Sequence, residues 1–369
     1  MTRVVVVSPE PTPYRAPLFD LVAARDDIAL TVVYAASTVA RRTWSVPLHH
    51  DAIFLRGARV PGARRLLRHD YHVTPGVVRM VRETDPDVVV VSGWSTFAAQ
   101  AAIAWSRACA IPYVLLVESH DVRARPRWRR VVKEAVVPSL VRGAAAWLAI
   151  GSAARDSVAR HGADRGRIRI FANTIDVAEW VRRADAARAA HEGFVVLCVA
   201  RLAPEKGIDT LIRAVAAAGV GARVAVAGSG AQRDVLERLA AQLRVDVRFL
   251  GDVPHDDLPT VYADADVFAL LSSHEPWGVV VNEAAAAGLP LVLSEAVGAA
   301  HDLLRDGENG FLVPPGDVAA AATALAMLAS DRALRTRMGR RSRQLVHAWG
   351  YDPSVEAFVA SVREAVASR

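Results

Sequence analysis

Two cations and a glycine lie between a short apolar run and a predicted helix in the second half of the chain. Arg201 follows the run at 195–199, and Lys206 and Gly207 come directly before a helix that begins near Ile208. Free backbone N–H groups and the helix dipole favour an anion at such a position. Arg supplies a planar fork and Lys a compact charge, a combination suited to a diphosphate. A solvated basic turn is the alternative, because a motif this short is weak by itself.

A pair of glutamates follows, with seven residues between them. Glu275 falls in a predicted turn, and Glu283 falls on the next helix, which is rich in Ala and ends at Gly288. Burying a carboxylate on such an apolar helix is costly unless it is hydrogen-bonded. The vicinal hydroxyls of a ribose or hexose would bond both of its oxygens. A Glu that faces solvent is the alternative, and Trp277 between the pair could either stack on a sugar or base or pack in the core.

The elements that position these residues alternate along the whole chain. Short β-branched runs are separated by longer segments of helical period, a pattern that predicts parallel sheets covered on both faces. The segment 176–192 contains no strand candidate and is interpreted as a linker between two α/β domains, 1–175 and 193–350. The predicted strands are 4–7, 30–34, 88–91, 113–117, 147–150, 168–171, 195–199, 223–227, 247–250, 267–271 and 290–293.

Polar, glycine and aromatic residues are concentrated where these strands end. In a doubly wound sheet, ligands bind beyond the carboxyl ends of the strands. The pattern therefore predicts one ligand cleft walled by both domains. The segments concerned are 8–15, 92–94, 118–121, 201–207, 228–230, 251–253 and 272–278.

Composition excludes several classes of protein. Of 369 residues, 52% are hydrophobic and 23% are charged, which supports packed cores and excludes a disordered chain. Cys109 and Cys198 are the only cysteines, so a disulfide scaffold and a structural zinc site are excluded and a reducing compartment is favoured. The apolar run at 4–7 is too short for a signal peptide, and polar residues interrupt the uncharged stretch at 88–106. We therefore expect a soluble, cytoplasmic protein.

Taken in order, these motifs resemble those of the retaining glycosyltransferases of family 4, which have the GT-B fold. The resemblance spans nearly the whole chain, and the ordered combination is specific although each piece alone is not. The motifs are NTID at 173–176, RLAPEKG at 201–207, GSG at 228–230, LGDV at 250–253, YADADVFALLSS at 262–273, the glutamates at 275 and 283, and DGENGFLVPPGD at 306–317.

The resemblance implies an α/β fold of GT-B architecture, with two Rossmann-like doubly wound domains facing across a cleft. The domain 1–175 would bind the acceptor, 193–350 would bind the nucleotide sugar, and a final helix at 354–369 would return to the first domain. It implies a retaining, front-face transfer of a hexose-type sugar from a UDP- or GDP-sugar to a hydroxyl acceptor. Cell-envelope polysaccharide, glycolipid or glycosylated metabolite synthesis would be the setting.

The resemblance also implies roles for individual residues. Arg201 and Lys206 would bind the diphosphate, Glu283 the ribose hydroxyls, and Glu275 the donor sugar. His120 matches a position where the family often places a histidine near that sugar; a histidine bonded to its neighbour Asp121 is the alternative. The remaining residues assigned to the donor are Gly230, Asp252, Val253, Pro276, Trp277, Gly278 and Val279.

Two departures from the family pattern concern the substrates. The first strand is followed by PEPTPYR rather than a glycine-rich loop, and Gly298-Ala-Ala-His-Asp302 stands where a double glycine is usual. A side chain at Ala299 would crowd any approach of the backbone to the donor sugar. On the acceptor side, aromatic faces suit sugar rings and Arg suits phosphate. The candidates are Tyr14, Arg15, Trp44, Trp94 and His120.

Other classes of protein remain as alternatives. Asp85-Pro-Asp87 and Asp264-Ala-Asp266 could hold a diphosphate-bound cation, but each pair precedes a strand, on the wrong side of a parallel sheet. We expect no metal and no cofactor besides the donor. Gly228-Ser-Gly230 begins like a dinucleotide fingerprint, but Arg233 replaces the third glycine. A nucleotide-sugar epimerase of the same fold and a non-catalytic binding protein are the remaining alternatives.

Basic charge is concentrated in the first half. Residues 1–180 contain 25 Lys and Arg against 16 Asp and Glu, and the rest contain 20 against 23. The cluster from Arg123 to Lys133, or a second one at Arg64, Arg65, Arg68 and His69, could contact an anionic membrane peripherally or a phosphorylated lipid-linked acceptor. An Arg-rich solvated surface is the alternative. No nucleic-acid recognition motif accompanies the charge, so we expect no nucleic acid partner.

Overall fold

The computed structural model describes residues 1–37, 46–59, 72–118 and 127–369. The chain divides into two compact units. Unit 1 comprises Met1–Asn173 and Asp352–Arg369, and unit 2 comprises Thr174–Tyr351. Within these described ranges, no helix combines the length and the apolarity needed to span a bilayer.

Unit 1 contains a seven-stranded parallel sheet in the order β3-β2-β1-β6-β7-β8-β9. Its central strands are buried apolar runs, as strands covered on both faces must be. The strands are β1 Thr2–Ser8, β2 Ile28–Tyr34, β3 Asp51–Phe54, β6 Val88–Ser92, β7 Tyr113–Val117, β8 Ala146–Ala149 and β9 Ile168–Ile170. Two further strands, β4 Ala58–Arg59 and β5 His72–Val73, form a separate antiparallel pair. The helices are α1 Ala16–Ala23, α2 Val77–Glu83, α3 Phe97–Ala108, α4 Arg127–Arg142 and α5 Ser152–Arg160.

Unit 2 contains a six-stranded parallel sheet in the order β12-β11-β10-β13-β14-β15. Its strands are β10 Val195–Val199, β11 Arg223–Ala227, β12 Asp246–Gly251, β13 Val267–Leu270, β14 Leu291–Ser294 and β15 Gly310–Val313. The helices are α6 Val177–Ala187, α7 Ile208–Ala218, α8 Arg233–Leu243, α9 Leu258–Ala263, α10 Val280–Ala286, α11 Ala300–Leu303, α12 Val318–Ser330 and α13 Arg332–Val346. The two α/β units confirm the predicted fold class.

The segment 176–192 is largely folded. Asp176 caps helix α6 by accepting a hydrogen bond from the backbone N–H of Glu179, and Trp180 and Ala184 are buried on its inner face. The ring of Trp180 lies against Tyr262 of α9. Most of the segment interpreted as a linker is therefore a packed helix of unit 2.

The last helix, α14, runs over Tyr351–Ala367 and belongs mostly to unit 1. Phe358 packs against Phe19 and Phe171, and Glu364 forms ion pairs with Arg167 and Arg169. The family resemblance implies a helix from 354 onward. The helix begins earlier because Pro353 lies in its first turn, where a missing N–H costs no helical hydrogen bond.

Four of the described strands are absent from the predicted set: β3 and β15 at the edges of the two large sheets, and the two-residue strands β4 and β5. β3 is half-exposed and only four residues long, and β15 opens with Gly310. A Cβ at Gly310 would overlap the backbone of Leu291 in β14, so this glycine permits close strand pairing rather than breaking the strand.

Gly207 and Gly219 bracket helix α7 and provide a matched test of close packing. Both adopt left-handed backbone conformations, with φ of 64° and 63°. A Cβ at Gly207 would overlap the carbonyl of Leu271, whereas a Cβ at Gly219 would meet nothing within 4 Å.

Each Ala substitution should cost about 1–2 kcal/mol of backbone strain, and Gly207→Ala should cost about 1–3 kcal/mol more from overpacking. Urea unfolding measures both losses; equal losses would contradict the close approach.

Candidate functional site

The carboxyl ends of the strands in unit 2 carry the predicted donor residues. Arg201 and Lys206 follow β10, and Glu275 follows the adjacent strand β13. On the other side of β10, the glycines 228 and 230 follow β11, and Asp252 and Val253 follow β12. Parallel pairing places all these chain ends at one edge of the sheet.

Lys206 and Glu275 form an ion pair at this edge. The ammonium of Lys206 donates to Glu275 Oε2, and the two side chains are 12% and 15% exposed. The loops that carry them are also joined through their backbones, since Ser273 N donates to Glu205 O at 2.8 Å. The ion pair and this backbone hydrogen bond both connect the loop after β10 to the loop after β13.

The turn at 228–230 supports the loop that carries Arg201. Leu202 N donates to Ser229 O at 2.8 Å, and Cβ atoms at Gly228 and Gly230 would overlap the carbonyls of Ala200 and Leu202. Both glycines have positive φ, 132° and 156°. The two glycines are therefore required for backbone contact with the Arg201 loop, whatever else they bind.

The side chain of Arg201 is the most exposed of the predicted cations. It is 65% exposed, and its guanidinium lies 3.4 Å from Glu205 Oε1. Asp252 is also exposed and accepts a hydrogen bond of 2.7 Å from the hydroxyl of Ser229, while Val253 is half-buried. Arg201 thus remains available to an anion at the edge of the sheet, because a weak exposed pair contributes little.

The backbone from 275 to 299 folds around two glycines. Glu275 N donates to Ala296 O, and Gly298 N donates to Glu275 O. A Cβ at Gly298 would overlap Pro276 O, and Gly278 has a φ of 91°. Pro276 is exposed and Val279 is half-buried next to them. These contacts place the backbone at 276–279 beside the carboxylate of Glu275.

Ala299 does not face the surface of this loop. Its side chain is fully buried, and its N–H donates to Trp277 O at 2.9 Å. Position 299 is where the family usually has the second of two glycines, and its backbone N–H is therefore already hydrogen-bonded within unit 2.

Glu283 lies deeper than the ion pair. It is 4% exposed, and Oε2 accepts a 2.7 Å hydrogen bond from the hydroxyl of Tyr262, which is fully buried. Burial raises the pKa of Glu283 to about 7, although the Tyr262 hydroxyl opposes the shift. Burial, followed by the adjacent carboxylate, raises the pKa of Tyr262 well above its ordinary value. Tyr262 is a partner that the sequence analysis did not identify.

Trp277 is a core residue. It is 2% exposed, its ring lies 5.2 Å from that of Trp349, and its Nε1 donates to Asn282 Oδ1 at 3.1 Å. The amide of Asn282 donates in turn to Thr174 Oγ1 at 3.3 Å, and Thr174 donates to Trp349 O. Of the two alternatives for this tryptophan, core packing is the one observed, so any donor contact from this residue would come from its backbone.

In unit 1, Arg15 lies at the start of α1 and is buried. Its guanidinium donates to Asn173 Oδ1, lies 3.1 Å from Glu118 Oε1 and stacks over Phe171 at 4.9 Å. Its Nε and one terminal nitrogen are buried without a hydrogen-bond partner in the part of the chain that is described. Tyr14 beside it is half-buried.

The other acceptor candidates are only partly described. Trp94 is half-buried, and the ammonium of Lys133 lies 5.8 Å from the centre of its ring. Trp44 and His120 lie outside the described residues, as do Arg64, Arg65, Arg68, His69 and 123–126; of 127–132 only the helical backbone is described. Membrane contact through the Arg123 to Lys133 cluster stays a prediction.

The two Asp-x-Asp pairs lie at amino ends of strands, which confirms their predicted position. Asp85 and Asp87 both bind Arg3, and Asp266 accepts from the backbone of Val195 and lies 3.4 Å from Arg335. Within the described ranges no group of three or more His, Cys, Asp or Glu side chains is arranged as a metal site.

Two family models match the chain. Residues 3–174 match the glycosyl transferase 4-like domain, and residues 183–345 match the glycosyl transferases group 1 model.

Relatives among characterised proteins carry related names. A lipopolysaccharide core biosynthesis glycosyltransferase of Rhizobium meliloti is 40% identical over 41% of this chain and 44% of its own length. A glycogen synthase of Mycobacterium tuberculosis is 32% identical over 71% and 65%, and a D-inositol 3-phosphate glycosyltransferase of Nocardia farcinica is 38% identical over 54% and 47%. The chain thus spans about half to two thirds of the length of these relatives.

Solved structures share the fold across the whole chain. Sucrose-phosphate synthase from Thermosynechococcus elongatus superposes with a TM-score of 0.78 at 20% identity, covering 100% of both chains. The Anabaena protein HepE, solved in complex with UDP and glucose, superposes with a TM-score of 0.72 at 20% identity, covering 98% of both. Two parallel-sheet units, two family models that together span most of the sequence, and these structural neighbours lead to one conclusion: the chain belongs to the group 1 glycosyltransferases of family 4 and has the GT-B architecture.

Proposed function

We propose that this protein is a retaining glycosyltransferase that moves a hexose-type sugar from a UDP- or GDP-sugar to a hydroxyl acceptor. The observation that carries the proposal is the sheltered Lys206–Glu275 pair at the carboxyl edge of the sheet in unit 2. Family membership supports the reaction class. The UDP bound to the similarly folded HepE supports a nucleotide-sugar donor.

The proposed donor site assigns one task to each charged group. Arg201 and Lys206 neutralise the diphosphate, and Glu275 with the neighbouring backbone at 276–279 holds the sugar. Glu283 holds the ribose hydroxyls when its carboxyl group is ionised. Because Lys206 is already fixed by Glu275, its charge needs little reorganisation when negative charge grows on the leaving oxygen, which is how such groups accelerate a reaction.

The proposed reaction breaks the bond between the anomeric carbon and the phosphate oxygen. The bonding electrons leave with the nucleoside diphosphate, where Arg201 and Lys206 stabilise them. The acceptor oxygen then bonds the anomeric carbon from the same face, and its proton passes to the departing phosphate. The family resemblance supports this front-face course with retention of configuration.

Acceptor recognition is assigned to unit 1, with Arg15 as its anchor. Two nitrogens of this buried guanidinium have no partner among the described residues, and an anionic group on the acceptor would satisfy them. Relatives named for lipopolysaccharide core and inositol phosphate glycosylation support an acceptor of this kind, either envelope-linked or a small phosphorylated metabolite.

The first test is a screen of nucleotide sugars for saturable binding and turnover, combined with Lys206→Ala. We expect this substitution to lower kcat about 10²–10³-fold, because it removes a preorganised cation from the leaving group. Arg213→Ala, which removes an exposed cation from α7, is the matched control and should keep wild-type activity. Circular dichroism establishes that both variants are folded.

Three results of this screen would count against the proposal. Full activity in Lys206→Ala would remove that residue from the mechanism. Formation of an epimeric sugar from the donor, in place of hydrolysis or transfer of the original sugar, would identify an epimerase instead. Saturable binding with neither hydrolysis nor transfer to any hydroxyl acceptor offered would identify a non-catalytic protein.

The second test concerns metal ions. Asp85 and Asp87 are bonded to Arg3, and Asp266 is bonded to the backbone at the amino edge of its sheet, which supports the proposal that neither pair holds a diphosphate-bound cation. Activity should therefore survive dialysis against EDTA, measured as initial rate with the donor identified in the screen. Complete loss that Mn²⁺ restores would contradict metal independence.

The third test uses the carboxyl group of Glu283, whose pKa burial raises from 4.5 to about 7. The unfolded chain ionises this group first, so the free energy of unfolding should fall as pH rises from about 4.5 to about 7 and should change no further above that. Relative to Glu283→Gln, the wild type should lose on the order of 3 kcal/mol across this interval. Urea unfolding at pH 5 and pH 8 measures it.

The exposed carboxylate of Glu237 on α8 provides the control, as Glu237→Gln. A pH-independent difference between wild type and Glu283→Gln would show that Glu283 is not held in a desolvated site. Donor KM, measured over the same pH range, should fall as Glu283 ionises if this carboxylate binds the ribose.

A further inference from the structure

A cavity lies in unit 2, at the opposite edge of the sheet from the Lys206–Glu275 pair. Its volume is about 720 Å³. Gly193, Asp266 and Pro290 line it, and these residues come just before β10, β13 and β14 respectively. It therefore lies at the amino ends of the central strands and is separate from the proposed donor site.

One face of helix α13 forms a wall of this cavity. The lining positions recur at intervals of three and four residues, which places them on one side of a helix. They are Arg332, Arg335, Thr336, Gly339, Arg340 and Arg343. Thr336 and Gly339 are small, and a Cβ at Gly339 would overlap Gly288 O, so α13 packs tightly at its centre and leaves space around its arginines.

Positive charge exceeds negative charge in the lining. Arg188 adds a fifth arginine to the four on α13, while Asp185 and Asp266 are the two carboxylates that line the cavity. Arg343 pairs with Asp185, and Arg335 pairs with Asp266. Both carboxylates are thus already used, and three cations remain without one.

Those three arginines differ in how they are held. Arg188 donates to Ala287 O at 2.5 Å, and desolvation together with the charge of Arg343 lowers its pKa. Arg332 and Arg340 are exposed to the cavity side of α13 and form no ion pair with a carboxylate in the part of the chain that is described. Arg343 lies close enough to Arg188 to lower its pKa, and a dianion bound among the arginines of this cavity would relieve repulsion of that kind.

We propose that this cavity binds a small sugar phosphate. Arginine forks match the oxygens of a phosphate group, and about 720 Å³ falls in the range of small-molecule sites. The hydroxyl of Thr336 donates to Arg332 O, and its oxygen can still accept a hydrogen bond from a sugar hydroxyl. Among the described residues that line the cavity there is no Phe, Tyr or Trp on which a nucleobase could stack, which favours a sugar phosphate over a nucleotide.

Isothermal titration calorimetry of the full chain at constant ionic strength tests this proposal, with glucose 1-phosphate, inorganic phosphate and glucose as probes. We expect one saturable site for glucose 1-phosphate, weaker binding of inorganic phosphate, and no binding of glucose. The double variant Arg332→Ala with Arg340→Ala should weaken binding at least about tenfold, because it removes two charge-assisted contacts. Both residues are exposed, and thermal unfolding verifies that the variant is folded.

Arg337→Ala is the matched control, because Arg337 is an exposed arginine of the same helix outside the cavity lining. It should bind like the wild type, and so should Lys206→Ala, which alters only the proposed donor site. Absence of saturable binding, or an equal loss in Arg337→Ala, would overturn the proposal. Binding abolished by Lys206→Ala but kept by the double variant would place the phosphate in the donor site, and equal affinity for inorganic phosphate would overturn the assignment of a sugar.

Discussion

The arrangement of the loops at the carboxyl edge of the sheet in unit 2 depends on the ion pair between Lys206 and Glu275. Both charges are largely withdrawn from water, and a sheltered charge that loses its partner is strongly destabilising. The pair therefore holds the loop after β10 against the loop after β13. Glycines 207 and 278 make this possible, because each adopts a positive φ beside a close neighbour. The cation that meets the diphosphate in the proposed reaction is consequently in place before the substrate binds.

The balance of positive and negative side chains differs between the two edges of the same sheet. At the carboxyl edge, Glu205 lies beside Arg201 and Glu275 pairs with Lys206. The side chain of Arg201 is mostly exposed, whereas that of Lys206 is mostly buried. At the amino edge, arginines outnumber carboxylates. Helix α10 connects the two edges: its first turn carries Glu283, and the carbonyls at its C-terminal end accept hydrogen bonds from Arg188 and Arg343. Cations at that end also suit the helix dipole.

Much of the fold could be predicted because buried parallel strands are uninterrupted apolar runs. The runs at 113–117, 195–199 and 223–227 agree with β7, β10 and β11 residue for residue. The edge strands β3 and β15 were missed, since a short half-exposed strand and a strand beginning with glycine lack that pattern. The segment 176–192 is predicted to be a linker because it is polar, rich in Ala and Arg and contains no strand candidate, whereas in the structure Trp180 anchors a helix there.

By itself, the sequence determined the alternation of strands and helices, the order of the motifs and the strand ends on which the proposed donor residues lie, because periodicity and turn chemistry are local properties. Tertiary structure decided which of those residues meet. It paired Glu283 with Tyr262, placed Trp277 in the core beside Trp349, and gathered five arginines around one cavity in a half of the chain where acidic residues outnumber basic ones. Contacts such as that of Arg188 with Ala287 join positions far apart in sequence. They form only when strand pairing brings distant segments together, so no local sequence pattern predicts them.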